Sequence, residues 1–564
     1  MRANNICGLA VVAVLLHAPV AAQQYGGTYD ARWEHNGFQV SMELGAAIVK
    51  HADLDGDGIS DIVVSAPLAD TTWGVDCGEV YAISGATRTL LWTHQGRWPY
   101  EQRGFAMALA GDWNGDGLED IAVGSPFYDA IPLVDNGLIK ILDAVTGVDV
   151  FTIPGANSYD FFGAALDGGF DFDHDGYNDF IVGAPGGDYA GVDSGRTYLY
   201  SSATMGLVNT FDGLAPYDFS GFAVSGMGDV NGDGRDDFLI GAPNASPAGV
   251  ALAGQVLLIT NDLTILYAVH PGKAVDGHLG SAVSGGGDWT GDGIAEYAMS
   301  APNVSPGGLT SAGVIRVMDG ATSTELYSLR GRQAYANLGF GLTFLEDLNH
   351  DGVTDLGATG RNPGLEGFVQ IHDGPTGNLL QRKDGTAPGD AYGCAIAVIG
   401  DLDGSGTVEV AVGARGEDAT GLLDSGNMYM LGFDACLSSS SDVLSNSAGG
   451  IIEFAMNFPA SEAGSPYALL GSATGMGPHY VAGIGIPLSN DPLFARFASG
   501  SAPSNFKDVY GVLNATGDGN AHATASAGSI SSLVGNTFWF AAVSLTAAYA
   551  PRLASVAVPL AIVP

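Results

Sequence analysis

Basic residues and long apolar runs are scarce in this chain of 564 residues. It has 20 lysines and arginines against 61 aspartates and glutamates, which gives a formal net charge of −41. Nucleic acid and anionic membranes repel such a polyanion, so neither is expected as a direct partner. Beyond the N-terminal segment no run of 18 or more apolar residues occurs, so the sequence predicts no transmembrane helix.

Cysteine is almost absent. Cys7 lies in the N-terminal segment, and Cys77, Cys394 and Cys436 remain, an odd number that cannot form a complete disulfide framework. Cys394 and Cys436 belong to the same repeat. One bridge between them and buried free thiols are both consistent with the sequence.

Catalytic signatures are absent as well. The sequence contains no HExxH motif, no GxSxG elbow, no P-loop and no GxGxxG in a βαβ context. Ser504 and Lys507 fit SxxK by spacing, but no companion motif accompanies them. The motifs therefore predict no enzyme, although a central channel can hold an active site that no motif reveals.

The first 22 residues have the order of a secretory signal peptide. Arg2 supplies the positive start, Ile6 to Leu16 form the apolar centre, and Val20-Ala21-Ala22 form a small-residue cleavage site. We expect cleavage after Ala22 and a mature chain that is secreted or held at the cell surface. Export would also place the chain where calcium is abundant.

Glycine is abundant, with 85 residues in a composition that is 46% hydrophobic and 14% charged. Such a composition is typical of many short strands joined by tight turns and not of disorder. An acidic, glycine-containing loop followed by an apolar strand occurs seven times, with starts 54 to 59 residues apart. The copies are DLDGDGISD from Asp53, DWNGDGLED from Asp112, DFDHDGYND from Asp171, DVNGDGRDD from Asp229, DWTGDGIAE from Asp288, DLNHDGVTD from Asp347 and DLDGSGTVE from Asp401.

Each period contains four short strands in a constant order. A β-branched run such as IVVSAP (62–67) follows the loop, and strands such as GEVYAISG (78–85) and LLWTHQG (90–96) complete the period. Seven such periods predict an all-β fold, a seven-bladed β-propeller over residues 23–436. The seventh period lacks its fourth strand, and ARWEHNG (31–37) resembles the fourth strand of the first. We therefore predict that this N-terminal strand completes blade seven and closes the ring.

The loop pattern D-x-[DN]-x-D-G-x-x-[DE] predicts a cation site. Side chains at positions 1, 3, 5 and 9 and the backbone carbonyl at position 7 supply only oxygen, a set that suits Ca²⁺ better than Mg²⁺. An EF-hand is excluded because position 12 is an apolar strand residue in every copy, and zinc because no His or Cys is a ligand. The predicted ligands are Asp53, Asp55, Asp57, Ile59 and Asp61; Asp112, Asn114, Asp116, Leu118 and Asp120; Asp171, Asp173, Asp175, Tyr177 and Asp179; Asp229, Asn231, Asp233, Arg235 and Asp237; Asp288, Thr290, Asp292, Ile294 and Glu296; Asp347, Asn349, Asp351, Val353 and Asp355; and Asp401, Asp403, Ser405, Thr407 and Glu409.

The seven loops are not equivalent. The Asp288 loop has Thr290 at position 3 and the longer Glu296 at position 9, so weaker binding is expected there. The Asp401 loop has Ser405 at position 5 and is the candidate for an empty site. About five strong calcium sites, and up to seven in all, are expected. Calcium and folding should be strongly coupled, since like charges crowd each loop without metal.

The Phe-Gly and Gly-Ala-Pro segments that bracket each loop resemble the FG-GAP repeats of the integrin alpha-subunit β-propeller and its bacterial relatives. The resemblance covers about residues 29–436. It implies that the metal loops lie between first and second strands on a lower face, and that partners bind the opposite, upper face. Repeat six reads ATG (358–360) and repeat seven Gly413-Ala414-Arg415 in place of Gly-Ala-Pro, and the other integrin domains are lacking. Integrin-type adhesion is therefore not carried over.

Aromatic residues recur in the loops that the resemblance assigns to the upper face. They either stack on a sugar or anchor a protein ligand, or they pack between neighbouring blades. These residues are Trp98, Tyr100, Tyr159, Phe161, Tyr217, Phe219 and Tyr335 between blades, and Trp73, Tyr128 and Tyr189 between second and third strands.

The repeats stop near Leu437. The serine-rich stretch at 438–442 indicates a linker over 437–448, and the alternating segments of 449–564 predict a small β-sandwich-like domain. The favoured hypothesis is a secreted calcium-binding scaffold that engages an extracellular protein or polysaccharide. The alternative is a carbohydrate-active enzyme or lectin that uses the same upper face.

Overall fold

The computed structural model describes residues 25–435, except 52, 261–265, 349–352, 362–365 and 403–407, together with short stretches between 437 and 563. Within these residues, seven antiparallel blades of four strands follow one another along the chain; six are separate sheets, and the strands of the seventh belong to a larger sheet. Each sheet is a meander of consecutive strands, except that the last borrows its fourth strand from the N-terminus. The seven-bladed propeller is therefore confirmed.

The first three blades follow the N-terminal strand. In chain order the strands are β1 (Tyr25–Asn36), then β2 (Ile48–His51), β3 (Asp61–Ala66), β4 (Glu79–Ile83) and β5 (Leu90–Gln95) of blade one, β6 (Met107–Gly111), β7 (Asp120–Ser125), β8 (Leu138–Leu142) and β9 (Asp149–Pro154) of blade two, and β10 (Ala165–Phe170), β11 (Asp179–Ala184), β12 (Arg196–Ser201) and β13 (Gly206–Asp212) of blade three.

The remaining blades repeat this arrangement. Their strands are β14 (Ala223–Met227), β15 (Asp237–Ala242), β16 (Gln255–Ile259) and β17 (Leu266–Pro271) of blade four, β18 (Val283–Gly287), β19 (Glu296–Ala301), β20 (Val314–Met318) and β21 (Glu325–Arg330) of blade five, β22 (Leu342–Phe344), β23 (Leu356–Gly360), β24 (Phe368–His372) and β25 (Leu379–Asp384) of blade six, and β26 (Tyr392–Gly400), β27 (Glu409–Ala414) and β28 (Asn427–Ala435) of blade seven.

Burial changes from strand to strand across each blade. Every residue of the second strands, such as β3 and β11, is buried, which explains their continuous apolar and β-branched sequences. Fourth strands such as β9 are only partly buried. First strands contact the first strands of neighbouring blades and so lie innermost, around the central axis.

Apolar side chains fill the space between every pair of adjacent blades in the described ring. The cluster between blades seven and one joins Leu44 and Ile62 to Met428 and Met430, all fully buried. Equivalent clusters occupy the six other interfaces. The core is thus a ring of interfaces, so each blade is stabilised by its two neighbours.

Hydrogen bonds also tie the innermost strands of four successive blades. The Gly226 N–H donates to Asp167 Oδ2 at 2.7 Å, the Gly285 N–H to Ser225 Oγ at 3.3 Å and the Phe344 N–H to Ser284 Oγ at 3.2 Å. The partners are 59 or 60 residues apart, one repeat period. Short polar side chains therefore link the innermost strands of neighbouring blades by hydrogen bonds.

The N-terminal strand closes the ring as predicted. β1 runs antiparallel to β28 from Gly27 opposite Ala435 to Asn36 opposite Asn427, with a register shift between Ala31 and Trp33. The Gly37 N–H then donates to the Gly426 carbonyl at 2.9 Å. Blade seven therefore has the order β26-β27-β28-β1, and β28 presents no open edge on that side.

The strands beyond residue 435 form two main sheets. Their bounds are β29 (Leu437–Ser439), β30 (Val443–Ser445), β31 (Gly450–Asn457), β32 (Pro466–Ser472), β33 (His479–Val481), β34 (Ile484–Ile486), β35 (Phe506–Lys507), β36 (Tyr510–Val512), β37 (Asp518–Ala525), β38 (Thr537–Leu545), β39 (Pro551–Ser555) and β40 (Val558–Val563).

These two sheets pack on each other through aromatic side chains. One has the order β29-β31-β37-β35, and the other contains β39-β38-β32-β36. The rings of Phe454 and Phe540, one from each sheet, lie 4.9 Å apart and are fully buried, as in a small sandwich. The segment interpreted as a linker contributes the two short strands β29 and β30.

The C-terminal sheets and the ring are connected. Tyr25 and Gly26 of β1 pair in parallel with β39, so the sheet of blade seven continues into the C-terminal part. The described residues contain no helix long and apolar enough to cross a membrane.

Deleting residues 23–37 is expected to lower the melting temperature of the whole ring, because blade seven loses its fourth strand and β28 gains an open edge. Differential scanning calorimetry measures the shift. A synthetic peptide of residues 25–37 added in trans should restore part of it. An unchanged melting temperature would show that β1 does not hold the ring closed.

Candidate metal centres and the upper face

The acidic loops connect the first strand of each blade to the second. The loop from Asp53 to Asp61, for example, joins β2 to β3 and ends on the first residue of the buried strand. All seven loops occupy this equivalent place and therefore share one face of the ring, the lower face. The location that the family resemblance implies is confirmed.

The aspartate at position 1 organises the loop through the backbone. Asp53 Oδ1 accepts from the N–H groups of Gly56 at 2.6 Å and Asp57 at 3.0 Å, and Oδ2 from Gly58 at 2.6 Å. These bonds, above all that of Gly58, lower the pKa of Asp53. Gly58 itself has φ +93°, a conformation that L side chains rarely adopt, which explains the glycine at position 6.

The acid at position 9 closes the neck of the loop. Its carboxylate accepts the backbone N–H of position 2 in every one of the seven loops. The pairs are Leu54 to Asp61 (2.6 Å), Trp113 to Asp120 (2.8 Å), Phe172 to Asp179 (3.0 Å), Val230 to Asp237 (3.0 Å), Trp289 to Glu296, Leu348 to Asp355 (2.9 Å) and Leu402 to Glu409 (2.7 Å).

Three loops bring three carboxylates together with ligand oxygens within 4.8 Å of one another. The groups are Asp53, Asp55 and Asp57; Asp171, Asp173 and Asp179; and Asp288, Asp292 and Glu296. In the second and fourth loops, Asn114 and Asn231 occupy position 3, and their amides donate to Asp116 and Asp233 at 3.0 and 2.9 Å. The structure thus assembles carboxylate clusters at three of the five loops that it describes throughout.

The last two loops are described only in part. Asp347, Val353 and Asp355 of the sixth and Asp401 and Glu409 of the seventh are described. The other predicted ligands, Asn349, Asp351, Asp403, Ser405 and Thr407, lie outside the described residues. The predictions for these ligands and for the Asp401 loop remain predictions.

The third loop carries the electrostatic signature of a cation site. The Oδ1 atoms of Asp173 and Asp179 are buried without a hydrogen-bond partner. Burial, reinforced by the charge of Asp173, raises the pKa of Asp179 to about 7. Burial likewise raises the pKa of Asp120 in the second loop to about 6. Unsatisfied anionic oxygens converging on one point are what a hard cation would stabilise, so the donor set fits Ca²⁺.

The Asp288 loop differs from its neighbours as the sequence suggests. Thr290 Oγ1 donates to Glu296 Oε1 at 3.3 Å, and Glu296 also holds the N–H groups of Trp289 and Thr290. The longer glutamate therefore reaches the same neck position as an aspartate. Its expected weaker binding is a prediction that metal titration can test.

The upper face, at the opposite end of the strands, presents exposed aromatic side chains. For six of the ten predicted residues this exposure excludes the interpretation that the rings pack between blades, whereas the other four are half-buried. Between 51 and 60% of the surface is exposed for Trp73, Trp98, Tyr100, Tyr159, Tyr217 and Tyr335. Phe161, Phe219, Tyr128 and Tyr189 are half-buried.

The exposed tyrosines between blades share one backbone geometry. Tyr100, Tyr159, Tyr217 and Tyr335 have φ of 63 to 67°, in the left-handed region. Each N–H donates to a carbonyl in the neighbouring loop between second and third strands, as Tyr159 does to Val134 at 2.7 Å and Tyr217 to Val192 at 2.8 Å. The side chains are therefore held outward on a fixed and unfavourable backbone, a pattern more typical of function than of stability.

Aliphatic side chains accompany these rings on blades one to three. We define the aromatic arc as Trp73, Val75, Trp98, Tyr100, Ile131, Val134, Tyr159, Val192 and Tyr217, all exposed. Ile131 is 92% exposed. Motif analysis missed the aliphatic members, although a Val-Asp pair recurs at residues 75, 134 and 192. The aspartate of each pair donates its N–H to an earlier aspartate of the loop, as Asp76 does to Asp70 at 3.0 Å.

Two of the cysteines that remain after Cys7 are described. Cys77 and Cys394 are free thiols, and Cys394 Sγ donates to the Gly45 carbonyl at 3.3 Å. Cys436 lies outside the described residues. Of the two possibilities left by the sequence, the free thiol holds for Cys394.

The fold and the loops define a β-propeller protein with acidic loops on one face of the ring. Residues 49–83, 162–200 and 221–259 match the FG-GAP repeat family, so these parts of the chain are FG-GAP repeats. It is similar to integrin alpha subunits: it is 29% identical over 307 residues to integrin alpha pat-2 of Caenorhabditis briggsae, covering 47% of this chain and 24% of that protein.

Other integrin alpha subunits match comparably. Integrin alpha pat-2 of Caenorhabditis elegans is 30% identical over 259 residues, 40% of this chain and 20% of that protein. Integrin alpha-V of Gallus gallus is 28% identical over 229 residues, 38% of this chain and 21% of that protein. The chain thus spans only about a fifth to a quarter of the length of these relatives, and the similarity makes it integrin-alpha-like in its propeller.

Replacing Tyr217 tests the left-handed backbone of the upper face. Tyr217→Gly is expected to be more stable than Tyr217→Ala by about 1 kcal/mol, because glycine tolerates this conformation and alanine does not. The equivalent position before blade seven is Gly389, with φ 102°. Calorimetric unfolding of both variants in calcium measures the difference. A glycine variant less stable than the alanine variant would contradict the strained backbone.

Proposed function

We propose that this protein is a secreted, calcium-stabilised propeller that binds an extracellular protein through the upper face of blades one to three. The main observation behind the proposal is that exposed large apolar side chains are concentrated in the loops of the upper face. Of the 28 large apolar side chains that are exposed on the described part of the ring, 19 lie in upper-face loops and one, Tyr177, in an acidic loop. Exposed apolar surface concentrated on one face marks an interaction site.

Calcium in the lower loops would hold the ring for this task. The side chains at positions 1, 3, 5 and 9 and the carbonyl at position 7 would supply the oxygen ligands. A bound cation supplies positive charge that offsets the crowded carboxylates. Because each loop leads directly into a buried second strand, that stabilisation would reach the core of each blade.

The composition of the aromatic arc favours a protein ligand over a polysaccharide. Tyrosine and tryptophan rings alternate there with exposed Val75, Ile131, Val134 and Val192. Mixed aromatic and aliphatic surface is typical of the centre of protein interfaces. Similarity to integrin alpha subunits over part of their length supports ligand binding.

The alternative, a carbohydrate-active enzyme, would need an activated group on the same face. One polar cluster described there joins Tyr189 Oη to Asp160 Oδ2 at 2.9 Å, with the Arg196 guanidinium 3.3 Å from the Tyr189 ring centre. Burial raises the pKa of Tyr189 and of Asp160. A raised tyrosine pKa opposes nucleophilic use, so this cluster favours a structural role.

Export is the third part of the proposal. Its support is the signal-peptide pattern of residues 1–22, which lie outside the described residues, and the acidic loops that fit an ion abundant outside the cell.

The Asp179→Asn variant distinguishes the contribution of bound calcium to stability from that of the loop's own hydrogen bonds. With calcium we expect one fewer bound ion by calorimetric titration and a lower melting temperature than that of the unaltered protein. In EDTA at pH 8 the variant should be at least as stable as the unaltered protein. The folded pKa near 7 exceeds the ordinary value, so the stability that depends on a protonated Asp179 is present at low pH and lost as pH rises through 7.

The control for that experiment is Glu325→Gln, which removes an acid from the exposed ion pair with Arg316, outside the loops. It should change neither the stoichiometry nor the difference between calcium and EDTA. Identical melting of the unaltered protein in calcium and EDTA would overturn the calcium proposal.

A triple variant tests the upper face. Tyr100→Ser, Tyr159→Ser and Tyr217→Ser together should abolish capture of surface or secreted proteins by the immobilised chain, at an unchanged melting temperature. A matched triple variant at Phe151, Leu207 and Leu326, which are exposed on outer strands, should retain capture. Equal capture by both variants would show that the aromatic arc is not the binding site. Binding to a glycan array that the tyrosine substitutions abolish would favour a lectin.

A further inference from the structure

Acidic loops of neighbouring blades contact one another on the lower face. At the described junctions the contact involves position 8, the residue just before the acid that closes each loop. Asn178 Nδ2 of the third loop donates to Glu119 Oε1 of the second. Thr354 Oγ1 of the sixth loop accepts from Trp289 Nε1 of the fifth at 2.9 Å. At these junctions the order of one loop can therefore depend on that of its neighbour.

The junction between the third and fourth loops has a bond to the backbone of a predicted ligand. The N–H of Asp171, at position 1 of the third loop, donates to Asp236 Oδ2, at position 8 of the fourth, at 3.1 Å. The Asp171 carboxylate in turn accepts the N–H groups of Asp175 at 3.0 Å and Gly176 at 2.9 Å. One residue of the fourth loop therefore holds the residue that organises the third.

A buried aromatic contact joins the same two loops. Phe172, which follows Asp171, is 1% exposed, and its ring centre lies 5.1 Å from that of Phe238 in β15. Phe238 is fully buried and lies two residues after Asp236. Blade four thus fixes the start of the third loop in two ways, through a hydrogen bond near the surface and through packed rings in the core.

The junction between the fourth and fifth loops provides a comparison within the same ring. Position 8 there is Ala295, whose Cβ is 3.6 Å from where a Cβ on Gly228, the residue before the fourth loop, would lie. Alanine therefore takes a place equivalent to that of Asp236, but its side chain has no acceptor. Apolar contact is retained, since Val230 and Tyr297 belong to one buried cluster. The two junctions differ in the polar bond.

We propose that Asp236 is a positioning residue that couples the third calcium site to the fourth, so that calcium in the fourth loop raises the calcium affinity of the third. The inference rests on the proposed function, in which calcium occupies these loops. Asp236 lies between two predicted ligands of the fourth site, the Arg235 carbonyl and the Asp237 carboxylate. Ligation on both sides would fix the Asp236 backbone, and with it the acceptor for the Asp171 N–H. Because coupling is reciprocal, calcium in the third loop would raise the affinity of the fourth by the same factor.

Repulsion between two bound ions acts in the opposite direction. Two divalent cations in adjacent loops each lower the affinity of the other site through their charge, although salt screens exposed charges. Asp236 is half-buried and interacts electrostatically with Asp171 of one loop and Asp229 of the other. A carboxylate between two cation sites attracts both ions and so offsets their repulsion. The sign of the coupling therefore distinguishes ordering by Asp236 from simple repulsion.

The test measures the calcium dependence of each loop separately. Hydrogen–deuterium exchange of the chain from residue 23 is followed at stepped free calcium concentrations, and peptides covering 171–179 and 229–237 give a midpoint for each loop. Asp233→Asn weakens the fourth site at position 5, a change that the peptide of that loop reports directly. We expect the midpoint of the third loop to rise about fivefold, a typical lower value for coupling between sites.

Substitution of Asp236 itself tests the bond. Asp236→Ala should raise the midpoint of the third loop by the same factor, and adding Asp233→Asn to it should cause no further rise. Asp236→Asn keeps an acceptor oxygen without the charge, so it should retain part of the coupling. A general loss of stability would not give this pattern. The asparagine variant also replaces the alanine variant if the latter fails to fold.

The matched control is Asp292→Asn, which makes the same change at position 5 of the fifth loop. It should leave the midpoint of the fourth loop unchanged, because Ala295 provides no acceptor at that junction.

Three results would overturn the coupling: an unchanged midpoint of the third loop in Asp233→Asn, a lowered midpoint, which would show that ion repulsion dominates, or an equal rise of the fourth-loop midpoint in Asp292→Asn. Each of these leaves the calcium proposal standing. If calcium gives the third loop of the unaltered protein no protection at all, the calcium proposal and the coupling are both refuted.

Discussion

A backbone N–H at position 2 of each acidic loop donates to the carboxylate at position 9, and the rest of each blade depends on this bond. The carboxylate belongs to the first residue of the second strand in six blades and to Asp355, the residue just before that strand, in blade six, and this residue is buried in all seven blades. Closing the loop therefore also fixes where the buried strand begins and which of its faces meets each neighbouring blade. In blade three, Asp179 Oδ2 accepts the Phe172 N–H, and Asp179 Oδ1 is buried without a hydrogen-bond partner.

The two ends of the strands differ in their exposed side chains. The lower end concentrates carboxylates and contributes four large exposed apolar side chains among the described loop residues, namely Val145, Val148, Tyr177 and Met205. The upper end carries the exposed rings and aliphatic groups, held by loops that repeat the same hydrogen bonds from blade to blade. A rigid lower face would allow upper-face side chains to change without loss of the fold.

Local features of this protein could be predicted from sequence, and contacts between repeats could not. The loops, the strand order and the closing strand follow from patterns within one period, because turn geometry and alternation act over a few residues. The bond from Gly226 to Asp167 and the left-handed φ of Tyr159 depend on how blades sit beside each other. No spacing in the sequence encodes those distances. The same limit applies to Val75 and Ile131, whose exposure becomes apparent only once the loops are placed.

The central claim is that cation binding on the lower face holds a ring whose upper face is preformed. Hydrogen–deuterium exchange with calcium and with EDTA tests it most directly, because each face gives its own peptides. We predict that calcium increases protection in the acidic loops and in the second strands that follow them, while protection of the upper-face loops at 70–76, 129–135 and 188–193 stays unchanged. Equal protection of the acidic loops with and without calcium would contradict the account.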